Sequence, residues 1–500
     1  MTKKESQTRQ DKLDAIIKSG INPYPSKTNR NASILKAKKS NDDKLIIAGK
    51  IISIRSHGKS TFVDLQDESE LIQVYFKLDT IGEEKYTFLK NVEVGDYIEA
   101  RGGVFKTKTG ELTLAAKDYA ILSKSLLPVP DKWYGLKDTE IRYRRRYLDL
   151  IMNPDVKKNI EIRSKIISTL RGFMQENDFI EVETPILQAI PGGASAKPFI
   201  TKYNILKQDM YLRIAPELFL KRLIVGGFEK VFEIGRQFRN EGLSHMHNPE
   251  FTSIEFYWAY EDYESLMKFT EKLMSNLVTM VSGSLKVIYQ KNELNFAPPY
   301  PRITFDALIE KDCGINIYKY PTFKKLKKEV LKKKINIDFK NIKVWPKLVD
   351  ELYKKVSRPK IIQPTFIVDH PLVLVPLAKA KEDPAYSSSL SLGVEDRQAG
   401  NLQKSQTFQL VCGGGFELLK AYTEQNDPKV QEEKFEEQVK LSKAGWEEGN
   451  MMDSDYIEAL KYGLPPTAGW GMGIERMAMI LTDQHSIKEV IAFPALKNPR

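Results

Sequence analysis

Cysteine is close to absent: Cys313 and Cys412 are the two in a chain of 500 residues, and they lie far apart. That usage excludes a disulfide framework and a thiolate zinc cluster, and it suits a reducing compartment. Long apolar runs are missing as well, so no membrane span is expected. The first residues, Met1 to Lys12, are polar and lack the apolar core of a secretion signal, which points to a cytoplasmic location. What is present is ordinary for a globular chain. The 41% hydrophobic content supplies a sizeable core, and the length fits two or three domains. Lys and Arg outnumber Asp and Glu by 77 to 66, a net charge of +11. This excess favours a polyanionic partner weakly, because solubility alone accounts for it equally well.

The residue pattern divides the chain. Leu13, Ile16 and Ile17 recur at helical spacing in residues 7–19, and Gly20, Pro23 and Pro25 end that helix. From 45 to 122 short β segments take over: 46–54, 60–66, 71–76, 97–104 and 111–114, with a turn at Thr109-Gly110. Five strands in so short a stretch suit a small OB-type barrel, with an SH3-like barrel as the alternative. Pro128, Pro130 and the basic run 141–147 mark a linker. A long helix follows, with Asn153 as its expected cap, Pro154 in its first turn, and an apolar stripe of Val156, Ile160, Ile167, Leu170 and Met174. Beyond Phe179, strands and helices alternate without βαβ spacing, which predicts an α+β domain around a largely antiparallel sheet. The expected organisation is an extension over 1–44, the barrel over 45–125, a linker over 126–153, and a domain over 154–500 with an insert around 284–360. Lysines 324, 325, 327, 328, 332, 333 and 334 give the insert a basic helix, read as a solvated face.

Two segments carry chemistry. In the first, a strand through Phe232–Arg239 puts Glu233, Gln237 and Arg239 on one face. A polar loop over 242–249 follows. The next strand then sets Phe251, Ser253, Glu255 and Tyr257 on one face and Thr252, Ile254, Phe256 and Trp258 on the other. A face mixing Arg, Glu, Phe and Tyr is poor core and good binding surface. The loop has no P-loop pattern, so a nucleotide has to be held by side chains, and arginine forks suit phosphate. A salt-bridged surface hairpin is the bland alternative. In the second segment, Gly469, Gly471 and Gly473 let backbone pass close to a neighbour, and Arg476 then sits in the first turn of a helix over 474–481. A cation is misplaced at that helix end unless it faces an anion.

These segments resemble the class II aminoacyl-tRNA synthetases, specifically the bacterial-type lysine branch. GFMQENDFIEVETP at 172–185 resembles motif 1, FRNE at 238–241 with HNPEF at 247–251 resembles motif 2, and GMGIER at 471–476 resembles motif 3. The lysine signatures are IPGGASAKPF at 190–199, the run 213–242, AYTEQNDP at 421–428 and the segment 131–150. The likeness spans almost the whole chain and thins out over 284–360 and 380–407. It implies ATP-dependent activation of lysine and transfer to the 3′ end of lysine tRNA, by a cytoplasmic homodimer formed through residues 154–185. It implies catalytic roles for Arg239 and Arg476, on the α- and γ-phosphates, and ATP contacts from Glu241, His247, Asn248, Phe251, Glu417 and Gly473. Around L-lysine it implies Gly193, Glu217, Glu255, Tyr257 and Glu424, the last pairing with the ε-ammonium. Arg55, Phe62, Gln73 and Glu111 would read the anticodon, Phe62 by stacking unless it is plain barrel core. Magnesium on ATP would be held by Glu417.

Three departures accompany the likeness. Gln409 stands where an acid that helps hold magnesium is usual, and Gly413-Gly414-Gly415 adds one residue before Glu417, which leaves the number of metal ions open. Lys420 stands where some relatives have asparagine and others share the lysine. Val375 replaces a serine before Pro376. Other readings remain in view. Aspartate and asparagine enzymes share the architecture but have no cationic substrate for Glu217 and Glu424. A lysine ligase acting on a translation factor lacks the barrel. A catalytically dead tRNA-binding relative does not need Arg239, Glu241 and Arg476.

Overall fold

The computed structural model describes residues 3–129, 138–382, 403–443 and 451–497, and the chain forms two compact units, Met1–Asp138 and Thr139–Arg500. Of the expected linker, residues 130–137 lie outside the described residues; Thr139–Arg144 and Arg146–Met152 are short helices of the second unit.

In the first unit five strands, Leu45–His57, Ser60–Gln66, Leu71–Lys77, Tyr97–Lys106 and Leu112–Ser123, close into a barrel. Alternation decides which side chains fill it. Thr61, Val63 and Leu65 point inward, whereas Ser60, Phe62 and Asp64 lie on the outer face. The N-terminal helix Lys3–Lys18 buries Leu13 and Ile16 but leaves Ile17 54% exposed, so its apolar stripe is narrower than expected. The turn residue Gly110 has φ +90°, as the predicted hairpin turn requires.

The second unit is built on an eight-stranded sheet. Its order is Arg302–Thr304, Thr365–Val368, Thr407–Cys412, Phe416–Thr423, Thr467–Gly473, Glu250–Ala259, Lys230–Phe238 and Ile180–Glu181. Neighbours are antiparallel except at the two edges, where the outermost pairs run parallel. One sheet face is covered by helices Pro154–Glu176, Tyr263–Ser282 and Ile474–Leu481. The core there holds Phe256 stacked on Trp470 at 5.1 Å, and the Trp470 Nε1–H donates to Thr270 Oγ1 at 3.0 Å. Burying each such aromatic contributes roughly 1.5–3 kcal/mol.

Two details of the long helix differ from expectation. Asn153 does not cap it, because its amide donates to Asp149 Oδ1 at 2.6 Å; Pro154 in the first turn sets the start. The buried stripe is Val156, Ile166, Leu170, Phe173 and Met174, with Ile160 and Ile167 half-buried, and most of it is spent in the chain's own core. The insert forms its own small core around Phe305, Leu326, Leu348 and Tyr353. Its basic helix Phe323–Lys332 buries Leu326 and Val330 and turns most of its lysines outward.

Candidate active site

The uncovered face of the sheet lines a cavity of about 630 Å³ in the second unit. The hairpin of Lys230–Phe238 and Glu250–Ala259 pairs Glu233 with Glu255, Gln237 with Phe251 and Val231 with Tyr257. Directly opposed residues share a face, so Phe251, Ser253, Glu255 and Tyr257 all line the cavity while Thr252, Ile254 and Phe256 are buried beneath. Strand Thr467–Gly473 lies beside this hairpin. A Cβ on Gly469 would stand 2.1 Å from Glu424 Oε1 and 2.5 Å from Tyr257 Cε1, so glycine alone fits there. Gly193, at φ +83°, brings the 190–195 loop so close to Glu217 that a Cβ would lie 2.7 Å from the Glu217 Cβ.

One end of the cavity is acidic. Glu217 opens the helix Glu217–Val225, where a carboxylate suits the helix dipole, and it accepts a hydrogen bond from the Tyr422 hydroxyl at 2.8 Å. One turn on, Lys221 pairs with Glu217 at 2.5 Å and also with Glu424. All three are buried. Burial pushes the Lys221 ammonium down, but Glu217 and Glu424 more than offset that and keep it charged. Glu424 does not itself reach the cavity wall; it lies behind Gly469 and Tyr257, against Lys221. Its Oε1 has no hydrogen-bond partner among the described residues. Glu255 does line the wall, and burial together with Glu217 pushes its carboxyl up to about 8. Burial and the same carboxylates raise the Tyr257 phenol, which stays a proton donor.

The other end is basic. Arg239, half-buried, lies over the Phe251 ring at 5.0 Å. Arg476, in the first turn of helix Ile474–Leu481, donates from Nη1 to the Glu417 carbonyl at 2.7 Å. Glu241, His247, Asn248 and Gly473 complete this wall. Burial and the neighbouring Arg476 push His247 down, and its Nδ1 meets Ser244 Oγ at 2.8 Å. The Asn248 amide is already engaged, donating to the Glu250 carbonyl at 2.6 Å and accepting from the Ala495 N–H at 3.0 Å. Glu475 also lines this wall, but its carboxylate is engaged: it accepts from the Thr252 N–H at 3.0 Å and from Arg163 at 2.7 Å, tying helix, strand and long helix together.

Magnesium held by Glu417 is an expectation that this donor set does not support. A hard divalent ion wants several anionic oxygens. Here Gln409 offers a neutral amide, and among the described residues no three His, Cys, Asp or Glu side chains gather as a metal group. Burial pushes the Glu417 carboxyl up, but Arg476, Lys420, Arg358 and Lys354 hold it below the usual carboxylate range. The residues at this position therefore do not fit a protein-held metal.

Sequence reasoning missed several groups that share the cavity. Lys354, Arg358, Tyr353 and Asp350 come from the insert, and His370 from the turn after strand Thr365–Val368. Their sequence carries no periodicity or motif that marks them. Lys221 was hidden inside an amphipathic helix.

In the first unit, Phe62 is not core. It is half-buried on the outer barrel face, stacked on Tyr75 at 4.8 Å, with Phe105 edge-on to Tyr75 at 6.5 Å. Register places Arg55 opposite Phe62 and Gln73 opposite Asp64 on the same face. Arg55 grips Asp64 with two hydrogen bonds of 2.9 and 3.0 Å. Glu111 is exposed at the turn before the last strand.

The chain matches two described families. Residues 138–497 fit the tRNA synthetases class II (D, K and N), and residues 45–122 fit the OB-fold nucleic acid binding domain. The chain belongs to the class II tRNA synthetases, in the branch of the bacterial lysine–tRNA ligases. A protein named lysine–tRNA ligase from Pelotomaculum thermopropionicum is 45% identical over 98% of this chain and 94% of its own length. Its namesake from Thermotoga maritima is 42% identical over 99% and 97%, and that from Aquifex aeolicus 47% identical over 90% and 72%.

Proposed function

We infer that this chain is a lysine–tRNA ligase that activates lysine with ATP and transfers it to lysine tRNA. The observation that carries the reading is the polarity of one cavity: Glu217 and Glu255 at one end, Arg239 and Arg476 at the other. Lysine fits that gradient, with its two ammonium groups toward the acidic end and its carboxylate toward the phosphates. The lysine carboxylate attacks the α-phosphate, giving lysyl-adenylate and pyrophosphate, and a ribose hydroxyl of the tRNA end then attacks the carbonyl carbon of the adenylate, forming the ester and releasing AMP. No side-chain nucleophile is needed, so catalysis is positioning plus charge stabilisation. Arg239 meets the α-phosphate and Arg476 the γ-phosphate. Phe251 stacks the adenine with the ring face that Arg239 leaves uncovered, and Glu241, His247, Asn248 and Gly473 frame the nucleotide. Glu217 and Gly193 take the α-amino end. Glu255 and Tyr257 face the substrate, and Glu424 acts on its ε-ammonium from behind Gly469 and Tyr257, as a carboxylate beyond the cavity wall.

Residues 45–125 form the anticodon-binding unit, where Phe62 stacks a splayed base and Arg55, Gln73 and Glu111 recognise its edges. The protein acts as a cytoplasmic homodimer; among the described residues no helix is long and apolar enough to cross a membrane. The long helix spends its stripe internally, so the exposed Ile180, Ile186, Leu187 and Ile200 supply the apolar contact between copies. ATP–pyrophosphate exchange tests the reading. Exchange stimulated by lysine but not by aspartate or asparagine, and lost in Arg239→Ala, is expected; exchange with aspartate, or an active Arg239→Ala, overturns it. Removing one charge-stabilising group costs on the order of 3 to 4 kcal/mol.

A further inference from the structure

The departures at 409 and 420, separate in sequence, are one structural event. Gln409 on strand Thr407–Cys412 and Lys420 on strand Phe416–Thr423 stand directly opposite each other in the antiparallel register. Opposed residues share a face, and both line the cavity. Two residues further along, the register slips: Leu410 pairs with Leu419, but Val411 pairs with Glu417, leaving Leu418 as an extra residue. This bulge sends both Leu418 and Leu419 into the core and turns Glu417 onto the same face as Lys420.

The neighbours complete the charge pattern. Gln409 accepts a hydrogen bond from the Tyr353 hydroxyl at 3.3 Å, which fixes the amide in place. Arg358 Nη1 stands 3.8 Å from Glu417 Oε2, and Arg476 holds the Glu417 carbonyl at 2.7 Å. Lys354 is paired with Asp350 at 2.5 Å. An acid at 409 would lie across from Lys420 and neutralise it. The amide leaves the ammonium unmatched by its cross-strand partner, with Glu417 as a carboxylate already surrounded by basic groups. Swapping a carboxylate for an amide, and setting a lysine opposite, removes a metal ligand and adds an ammonium at one spot, which burial pushes down and Glu417 supports.

We propose that Lys420, freed by the neutral Gln409 opposite it, is a substrate-binding cation that replaces a protein-held divalent ion in this site and binds a phosphate oxygen of ATP. The inference rests on the ligase reading of the same cavity. Any divalent ion then arrives on the nucleotide, and the chain contributes no second metal position. The anionic oxygen that Lys420 meets belongs to the phosphate chain; the carboxylate of the amino acid is the competing source of the same chemistry.

The test uses the full-length protein, a non-hydrolysable ATP analogue and Mn²⁺ as a spectroscopic probe. Electron paramagnetic resonance is expected to find no tight Mn²⁺ on the free protein and one per bound nucleotide. Calorimetry in EDTA is expected to show metal-free analogue binding that falls at least tenfold in Lys420→Met, while Lys420→Arg retains it and lysine affinity moves less than threefold. The double variant Gln409→Glu with Lys420→Asn is expected to gain a second Mn²⁺ per nucleotide. Two or more Mn²⁺ per nucleotide on the unaltered protein overturns the proposal. So does unchanged metal-free binding in a folded Lys420→Met, or a loss confined to lysine, which assigns Lys420 to the carboxylate instead. Absence of lysine-dependent pyrophosphate exchange in the unaltered protein sinks the ligase reading itself, whereas intact exchange with two Mn²⁺ sinks the present inference alone.

Discussion

The ammonium of Lys221 and the carboxylate of Glu424 form a buried ion pair, reached from a helix on one side and the end of a strand on the other. Lys221 also holds Glu217, so one buried ammonium serves both carboxylates. The two members of the pair differ in what their loss leaves behind. Lys221→Met strands two buried acids, and breaking such a pair costs about 3 to 5 kcal/mol of stability. Glu424→Gln leaves Lys221 with Glu217 and should cost less. It should still weaken lysine binding by about 2 to 5 kcal/mol, with ATP affinity unchanged. Urea denaturation and lysine titration of both variants check this; equal stability loss, or unaltered lysine affinity in Glu424→Gln, contradicts it.

Lysine binding should depend on pH through Glu255. Its carboxyl is raised from 4.5 to about 8 by burial and by Glu217, with Glu233 adding to the rise and Arg239 and Arg213 opposing it. The folded state therefore holds this proton more tightly than the unfolded chain. Stability from this group is present at low pH and declines as pH rises from about 4.5 to about 8. An arriving ammonium favours the ionised form, so lysine affinity should strengthen on the order of tenfold between roughly pH 6.5 and 8.5. Titrations across that range should show the rise in the unaltered protein and a flat profile in Glu255→Gln. A rise that persists in the variant assigns the effect elsewhere.

Phe62→Ala should separate the two activities. The ring lies outside the barrel core, so the fold should survive its loss, while a stacked base loses roughly 1 to 3 kcal/mol. Aminoacylation of tRNA should fall and lysine-dependent pyrophosphate exchange should not. A drop in both together would make Phe62 a structural residue.

Gly469→Ala should be costly for a residue with no side chain of its own. The new methyl meets Glu424 and Tyr257 well inside contact distance. Overpacking of this kind costs about 1 to 3 kcal/mol. Lysine affinity should fall with melting temperature, because the displaced groups belong to the substrate end. Ala at Gly463, where φ is +104° but no atom lies nearby, separates backbone strain from collision: it should lower the melting temperature and leave lysine affinity intact.

Much of the site was legible because its residues alternate on strands. Phe251, Ser253, Glu255 and Tyr257 were assigned one face by period two, and pairing with Glu233 and Gln237 put that face on the cavity. The close-approach reading of the 469–473 glycines likewise found its neighbours in Glu424, Tyr257 and Glu255. What the long helix packs against was not legible, for the opposite reason: an amphipathic helix announces that one face is buried, not against what. Asn153 failed as a cap because a nearby aspartate claimed its amide, a competition that no local pattern reveals.

The sequence by itself determined the strand faces, the barrel, the order of the motifs and the identity of the charged groups, since these follow from local periodicity and residue chemistry. Tertiary structure decided which charges meet. Lys221 finds Glu424, the insert delivers Lys354 and Arg358 beside Glu417, and a one-residue bulge sets Lys420 and Glu417 on one face with Gln409 opposite. Charge pairing depends on distances of a few ångströms between segments remote in sequence, and only the packed sheet fixes those distances.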